Sequence, residues 1–340
     1  CNTHGAFNPS LAPIKQSNLC MEITLPTKPL YSVQDENGEV ALCTLSAVNL
    51  GALDSLDELE DITEIIVRSL DCLLDYQDYP LKSAEITSNN RRTLGIGVTN
   101  LAYYLAKNDA KYSDGSGNEL IHKTFEALQF YSLKASNKLA IEFGACPLFS
   151  ETQYAQGILP VDSYKKDIDV FCNTKLELDW DSLRKDIKAS GLRNSTLTAL
   201  MPCESSSQIS NSTNGIEPPR GFVSVKQSKD GILKQVVPEY EKLHKKYELL
   251  WDIKDNEGYL QLCAIMQKFV DQSISTNTHY DPSKFEGNRV PMKLFLMDLL
   301  KAYKYGIKTL YYHTTRDGAS DDQSINNPND DDCEDGVCKL

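Results

Sequence analysis

Residues 41–50, ALCTLSAVNL, form an apolar and partly β-branched run that carries Cys43. A short continuous apolar run of this kind predicts a buried β-strand. Directly after it, residues 56–75 place leucine and isoleucine at helical spacing, which predicts an amphipathic helix. A buried strand followed by a helix is the repeating unit of α/β proteins, so this stretch favours an α/β fold.

The same alternation extends along the chain. Apolar periodicity predicts further helices over residues 91–107, 121–143, 181–190, 259–270 and 290–305. Strands are predicted over residues 194–201, 221–226 and 308–314, and a hairpin-like excursion over residues 24–40. Gly95 and Gly97 resemble part of a dinucleotide-binding loop, but the third glycine and a preceding strand are missing. We interpret them as close-packing positions.

Composition excludes several classes of protein. The 340 residues are 41% hydrophobic and 24% charged, which is typical of a globular protein with one or two domains. No apolar run approaches the roughly 20 residues needed to span a bilayer, and no signal peptide is visible, so we expect a cytoplasmic protein. The net charge of −13 argues against direct nucleic-acid binding. Ten cysteines in such a chain do not indicate a disulfide scaffold.

Residues 13–23, PIKQSNLCMEI, place an amide, a thiol and a carboxylate at alternate positions, namely Asn18, Cys20 and Glu22. In an extended segment, alternate residues lie on one face. One strand or strand-like loop would therefore present a hydrogen-bond donor, a sulfur and a base to one small ligand. The alternative is a half-buried strand with a chance thiol.

The last residues are acidic. From Asp317 to Leu340, eight acidic residues and one basic residue give a net charge of −7. Residues 319–340 have almost nothing to bury, so we predict a disordered tail. Cys333 and Cys338 on such an arm form a reversible disulfide or are incidental thiols. Zinc is not expected, because neither this pair nor the Cys-x-x-His spacing at residues 1–4 has a second pair of ligands.

Two further motifs allow alternative interpretations. Adjacent Tyr311 and Tyr312 on a regular strand would face opposite sides, as one core and one surface residue. A pair of redox-active phenols would need the backbone to depart from a flat strand. The hydroxyl-rich loop at residues 202–208 forms an anion site suited to phosphate if a helix follows it, or its serines serve only as helix caps.

Taken in order, seven stretches resemble the large, catalytic subunit of aerobic class I ribonucleotide reductases, and most closely the class Ia branch of bacteria and their phages. They are SNLCMEI (17–23), ALCTLSAVNLG (41–51), RRTLGIGVTNLAYYLAK (91–107), LRNSTLTALMP (192–202), NGIEPPRG (214–221), KTLYYHTTRDG (308–318) and CEDGVC (333–338). The resemblance implies that residues 1–318 form the C-terminal part of the family's ten-stranded α/β barrel. Residues 319–340 would form a flexible, acidic redox tail.

The resemblance also assigns roles near the substrate, a ribonucleoside diphosphate. Cys20 would become a thiyl radical that takes the 3′ hydrogen of the ribose, from a neutral, buried thiol at a loop tip. Glu22 would be the general base for the 3′-hydroxyl, and Asn18 would orient the ribose hydroxyls. Cys43 would be one of two thiols that reduce the substrate. Substrate binding is assigned to Ser17, Asn18, Glu22, Pro202, Cys203, Glu204, Ser205 and Ser206, with the loop at 204–206 holding the diphosphate.

Partners follow from the same resemblance. Tyr311 and Tyr312 resemble the relay that carries a radical to Cys20 from a diiron-tyrosyl centre on a separate small subunit. Cys333 and Cys338 resemble the mobile pair that re-reduces the active-site disulfide and is itself reduced by thioredoxin or glutaredoxin. The chain itself is expected to bind no cofactor or metal, and a phage-encoded protein would act in the host cytoplasm.

The stretches that resemble the family match only its C-terminal part. The family's N-terminal half carries the sites for the effectors ATP, dATP and dNTPs and the cysteine that pairs with Cys43, and nothing in this sequence matches it. Cys203 stands where the family usually has serine. We therefore expect one piece of a split large subunit, arising from gene interruption or protein splicing and active only with a separate N-terminal polypeptide. The alternative is a non-catalytic assembly or regulatory module of the same fold, although such a module would not need Cys20 or the tyrosines.

Overall fold

A computed structural model describes residues 1–225 and 233–316 in full and the backbone of residues 226–228, 231–232, 333–334 and 337–338. The helices are α1 (Glu58–Tyr76), α2 (Lys82–Arg91), α3 (Leu101–Lys107), α4 (Asn118–Phe143), α5 (Pro160–Ser163), α6 (Trp180–Ser190), α7 (Ser206–Ile209), α8 (Tyr240–Leu243), α9 (Glu257–Phe269) and α10 (Met292–Lys304). The strands are β1 (Leu45–Asn49), β2 (Gly95–Thr99), β3 (Val223–Ser228), β4 (Gly231–Val236), β5 (Thr278–Tyr280), β6 (His313–Thr315), β7 (Cys333–Glu334) and β8 (Val337–Cys338).

A layer of parallel strands organises the chain. β1 pairs with β2 in parallel, and β5 pairs with β6 in parallel. Between these pairs runs the extended segment 196–201, in which Thr198 bridges Ile96 and Leu200 bridges Ile274, both in parallel. Parallel strands need crossover connections, and helices provide them here. The predicted α/β class is therefore confirmed, and the strand predicted over residues 194–201 lies in the middle of the layer.

The core lies where α9 meets the parallel layer and α4. Nearly every side chain of α9 is buried, including Leu260 and Ile265, and α4 packs against both α9 and α1. A helix that is apolar on all sides belongs in an interior. Each fully buried leucine or isoleucine stabilises the fold by about 1.5–3 kcal/mol. This core supports the ends of the strands, and the residues of the candidate active site lie at these ends.

The helix predicted over residues 91–107 is wrong. This stretch contains the end of α2, the fully buried strand β2 and the short helix α3. The glycines of β2 are close-packing positions, as expected: a Cβ at Gly97 would lie 2.6 Å from Met201 Sδ, and one at Gly95 would lie 2.5 Å from Leu45 Cδ2. The strand Gly95–Thr99 has only five residues. The periodicity of apolar residues cannot distinguish so short a buried strand from a helix.

The buried strand predicted over residues 41–50 is correct only for its second half. β1 begins at Leu45, and Cys43 precedes it in an exposed position. β1 pairs only with β2 among the described strands, so several of its residues remain partly accessible. The hairpin-like excursion over residues 24–40 is confirmed, because Lys28 and Glu39 exchange two backbone hydrogen bonds.

The other predicted helices are confirmed with small shifts at their ends, and β3 confirms the strand predicted over residues 221–226. β3 forms an antiparallel hairpin with β4. The predicted disordered tail lies outside the described residues, apart from a two-residue ladder that places the backbones of Cys333 and Cys338 opposite each other. None of the helices in the part of the chain that the structure describes is long and apolar enough to cross a bilayer.

Candidate active site

The segment that carries Cys20 is a tight turn. Met21 N donates to Asn18 O over 3.3 Å, and Met21 has a positive φ of 68°. The Ser17 hydroxyl donates to Ile23 O over 2.7 Å, and Asn18 Oδ1 accepts from Ile23 N over 3.1 Å. Cys20 is thus held at the tip of the loop, half-buried rather than fully buried. The predicted extended segment with one shared face is wrong, because a left-handed residue reverses the chain.

Ser275 fixes this turn on the parallel layer. Its hydroxyl lies 2.6 Å from Cys20 O and 3.2 Å from Glu22 Oε2. Ser273 N donates to Glu22 O over 2.9 Å, and the Glu22 side chain is buried with 2% of its surface exposed. Sequence analysis did not identify Ser275. Its only signal is a polar run at residues 271–277 that directly follows the apolar helix α9.

Cys43 lies beside the same turn. It is a free cysteine, and partial burial of its sulfur, followed by its electrostatic interaction with Glu22 and Cys20, raises its pKa to about 11. A thiol with such a pKa is almost entirely protonated near neutral pH. The structure therefore places Cys20, Glu22 and Cys43 close to one another.

The two tyrosines form a β-bulge. Tyr311 N donates to Thr276 O over 2.8 Å, and Thr278 N donates to Tyr312 O over 2.9 Å, so both tyrosines stand opposite the single residue Asn277. One extra residue in a strand bends it and re-aims its side chains. The two rings consequently stack, with centroids 3.9 Å apart and an interplanar angle of 36°. The strand predicted over residues 308–314 is therefore irregular at this point, and of the two alternatives for the tyrosines the structure shows the one in which the backbone departs from a flat strand.

The tyrosine pair reaches Cys20. Hydrogen bonds to Tyr312 and then to Cys20 raise the pKa of Tyr311 above its usual value. Tyr312 is 55% exposed, whereas Tyr311 is partly covered. Two consecutive contacts therefore lead from the protein surface at Tyr312 through Tyr311 to the side chain of Cys20.

The loop at residues 202–206 follows the neighbouring strand-like segment. Asn214 organises it, because Asn214 Oδ1 accepts from Cys203 N over 2.7 Å and its Nδ2 donates to Glu204 Oε1 over 2.7 Å. The Cys203 thiol is buried and lies 3.6 Å from Val98 O, and burial raises its pKa. Ser205 and Ser206 are exposed at the start of the short helix α7. Asn214 begins the stretch NGIEPPRG (214–221), but no local sequence pattern predicts its role.

The loop and the Cys20 turn lie at the same edge of the layer. Leu200, just before the loop, bridges Ile274, which directly precedes Ser275. In α/β proteins, ligands bind outside the carboxyl ends of parallel strands. The residues that carry the thiol, the base, the tyrosine pair and the loop therefore converge on one end of the layer.

Metal ligands are not grouped in this region. Among residues 1–225 and 233–316, no cluster of three or more His, Cys, Asp or Glu side chains is arranged to hold a metal ion. The two ring nitrogens of His4 are engaged by other groups, at 2.8 Å from Ser163 Oγ and 2.7 Å from Gln267 O. The Cys-x-x-His spacing at the start of the chain thus reflects packing.

The parallel layer and the thiol–tyrosine site define the class of protein. The chain belongs to the family described as ribonucleotide reductase, barrel domain, whose model matches residues 1–313. It is 66% identical over 340 residues to the ribonucleoside-diphosphate reductase subunit alpha of Haemophilus influenzae. It is 65% identical over 342 residues to ribonucleoside-diphosphate reductase 1 subunit alpha of Escherichia coli, and 50% identical over 344 residues to the subunit alpha of Enterobacteria phage T4.

Each of these alignments covers all of the chain and 45% of the relative. The chain therefore spans a little under half the length of the curated relatives it matches. The resemblance to class I large subunits of bacteria and phages, drawn from seven short stretches, is confirmed along the whole chain.

Proposed function

We propose that this chain supplies the radical-bearing part of a ribonucleotide reductase large subunit, which converts ribonucleoside diphosphates to deoxyribonucleotides. The observation that carries the proposal is the continuous contact from Tyr312 through Tyr311 to Cys20. A phenol pair that touches a thiol at a loop tip has the chemistry of hydrogen-atom transfer. A merely structural thiol would not need an exposed tyrosine pair against it.

Cys20 starts and ends the reaction on the substrate. Its thiyl radical takes the hydrogen atom from C3′ of the ribose, which leaves a thiol on Cys20 and a radical on C3′. Glu22 accepts the proton of the 3′-hydroxyl, a role for which a positioned carboxylate is suited, and returns it once C2′ has been reduced. The hydroxyl on C2′ leaves as water with a proton from one of the two reducing thiols. At the end, Cys20 returns a hydrogen atom to C3′ and is a radical again. Ser17 and Asn18 shape the turn on which the ribose would lie.

The tyrosines deliver the radical. An oxidised Tyr312 takes a hydrogen atom from Tyr311, and Tyr311 then takes one from Cys20. Each step needs donor and acceptor in contact, which the stacked bulge provides. The oxidising equivalent would come from a separate small subunit with a diiron-tyrosyl centre, and the exposed face of Tyr312 is where such a partner would connect.

Two thiols supply the reducing equivalents. Cys43 and a second cysteine would each lose one electron and one proton as they form a disulfide. We place that second cysteine, together with the effector sites for ATP, dATP and dNTPs, in the part of the relatives' length that this chain does not span. Cys333 and Cys338, on the proposed redox tail at residues 319–340, would reduce the disulfide by thiol exchange and pass the oxidation to thioredoxin or glutaredoxin.

The loop at residues 202–206 would hold the substrate diphosphate. Backbone N–H groups at the start of α7 and the hydroxyls of Ser205 and Ser206 are suited to phosphate oxygens. Cys203 would contribute by packing the loop, because its thiol and its N–H are already engaged. Asn214 would keep the Glu204 side chain of this loop in place.

The test is turnover of a ribonucleoside diphosphate by a large subunit that contains this chain, with a small subunit and thioredoxin. Cys20→Ser should abolish product formation yet leave subunit assembly intact. Cys72→Ser, at an exposed cysteine on α1, is the matched control and should retain full activity. Normal turnover by Cys20→Ser would contradict the proposal and favour a non-catalytic assembly or regulatory module.

A further inference from the structure

The bulge at Tyr311 and Tyr312 leaves one backbone donor to be satisfied. In a regular parallel ladder, the N–H of Tyr312 would point away from the neighbouring strand. Here it donates to the side chain of Asn277, over 2.8 Å to Oδ1. A buried donor without a partner costs about 1–3 kcal/mol, so the side chain opposite the bulge contributes directly to the bulge's stability.

Asn277 is itself held by a carboxylate. Its Nδ2 donates to Glu217 Oε1, and His279 Nε2 lies 3.4 Å from the same oxygen. Although burial disfavours the charged form, hydrogen bonds from His279 and Asn277 and the charge of Arg220 hold the pKa of Glu217 below its usual value. Glu217 therefore accepts from both neighbours, which fixes the amide of Asn277 with its oxygen toward Tyr312.

The ring of His279 is fixed as well. Its centroid lies 5.8 Å from that of Tyr259 and 6.4 Å from that of Trp251. His279 N also donates to Asn256 Oδ1 over 2.9 Å. The support of the bulge is therefore a continuous series of contacts from the core to the backbone of Tyr312.

We infer that Asn277 and Glu217 are positioning residues for radical transfer, which hold Tyr312 in the stacked arrangement with Tyr311 without touching substrate. This inference rests on the proposed role of Tyr312 as the entry point of the radical. If the amide at 277 were lost or turned around, the N–H of Tyr312 would lose its acceptor and the ring could leave the stack. Displacements of about 1 Å can reduce a rate roughly a hundredfold.

Two substitutions can exchange the donor and the acceptor of the hydrogen bond between Asn277 and Glu217. Asn277→Asp keeps an oxygen for the N–H of Tyr312 but places a carboxylate against Glu217. Adding Glu217→Gln then supplies an amide donor for the new carboxylate and removes the negative charge opposite it. Asn137→Asp is the matched control, because Asn137 is a buried amide on α4 that donates to Asp186 O and Gly191 O.

Two readouts are needed. The first is the ¹⁹F chemical shift of 3-fluorotyrosine in place of Tyr312, measured in the full large subunit. The second is kcat and KM for ribonucleoside diphosphate in the assembled enzyme. Asn277→Asp should move the ¹⁹F resonance and lower kcat roughly ten- to a hundredfold with unchanged KM. The double variant should recover to within about threefold of wild type in kcat and regain the original resonance.

A wild-type resonance and kcat in Asn277→Asp would overturn the inference. So would a double variant that loses as much as Asn277→Asp, or a control variant with the same loss of kcat at unchanged KM. If Asn277→Asp fails to fold, Glu217→Ala alone, which removes the acceptor of Asn277 Nδ2, should still shift the resonance and lower kcat, and wild-type values there would equally overturn it. Absence of turnover in the wild-type enzyme would refute the proposed function, and the ¹⁹F shifts would still decide whether Asn277 positions Tyr312.

Discussion

Tyr311 and Tyr312 are consecutive in the sequence, yet their rings stack with centroids 3.9 Å apart. The cause is the one-residue bulge opposite Asn277, since neighbouring residues of a regular strand face opposite sides. The hydrogen bond from this pair to Cys20 makes the stack part of the site. Several consequences of this arrangement can be measured.

Removing the hydroxyl of either tyrosine should stop radical transfer to Cys20 while leaving the two rings in contact. Tyr311→Phe and Tyr312→Phe keep the rings but remove the O–H that gives up its hydrogen atom. Turnover should fall below roughly one hundredth of the wild-type rate, which corresponds to about 2.7 kcal/mol in activation free energy. Steady-state assays of product formation measure this. Tyr303→Phe, at an exposed tyrosine on α10, is the control, and an equal loss there would contradict the relay.

Ser275 should matter because it touches both Cys20 and Glu22. Ser275→Ala removes the hydroxyl that lies 2.6 Å from Cys20 O, and we expect a loss of about 1–3 kcal/mol in the free energy of unfolding. We also expect roughly tenfold lower kcat, because the turn and the base lose their common anchor. Ser273→Ala is the control, since that hydroxyl contacts Thr309 instead. Equal kcat values for the two variants would argue against an anchoring role.

Glu22→Gln should remove the base without disturbing the turn. A positioned general base typically contributes about 10²–10⁴-fold to a rate, and we expect a kcat loss in that range. The amide at 22 can still contact Ser275, so the free energy of unfolding should change little. A kcat within about twofold of wild type would show that Glu22 is not the base.

Cys43 should react slowly with alkylating agents even though it is exposed. Its pKa of about 11 leaves little thiolate near neutral pH, so under reducing conditions its alkylation by iodoacetamide at about pH 8 should be roughly tenfold or more slower than that of an ordinary thiol. Glu22→Gln should accelerate it, because the charge of Glu22 contributes to the raised pKa. Mass spectrometry resolves the rates by peptide. Alkylation of Cys43 as fast as that of exposed Cys72 would contradict this picture.

Acid should destabilise the fold through His122. Burial, followed by the charge of Lys268, lowers the pKa of His122 from 6.5 to about 4. The unfolded chain therefore binds this proton between these two values and the folded chain does not. The contribution of neutral His122 to the free energy of unfolding is therefore complete above pH 6.5 and is lost as the pH drops toward 4. From pH 7 to 5 the loss should be on the order of 2 kcal/mol.

His122→Gln should remove this part of the pH dependence. The glutamine offers an amide oxygen to Lys268, whose Nζ lies 2.9 Å from His122 Nε2. Urea unfolding at the two pH values gives the difference directly. The same pH dependence in the variant and the wild type would assign the acid sensitivity to other groups, such as the buried His4, whose pKa is lowered to about 3.

Sequence patterns predicted the long elements well. The helices around α1, α4 and α9 were predicted because their apolar residues recur over many turns. Residues 91–107 were misassigned because β2 is short, buried on both faces and followed directly by α3. In such a run the choice between strand and helix depends on neighbours such as Ala199 and Met201, which are distant in sequence.

The sequence assigned several residues to one candidate site but did not predict how they are arranged. Cys20, Glu22, Cys43 and Tyr311 do lie together, as the family resemblance implied. The turn at Met21 and the tyrosine bulge depend on pairing with residues 273–278, and no local pattern encodes that register. Ser275, Asn214 and Asn277 were missed for the same reason, since each acts through a contact to a distant segment.

The transfer of the 3′ hydrogen of the substrate to Cys20 can be tested directly with an isotope. The assembled enzyme should be given a ribonucleoside diphosphate with deuterium at C3′, under conditions in which chemistry limits a single turnover. If Cys20 takes the 3′ hydrogen, product should form more slowly from the deuterated substrate, deuterium should be retained at C3′ of the product, and Cys20→Ser should show no turnover. Equal rates for the two substrates combined with turnover in Cys20→Ser would contradict this role of Cys20.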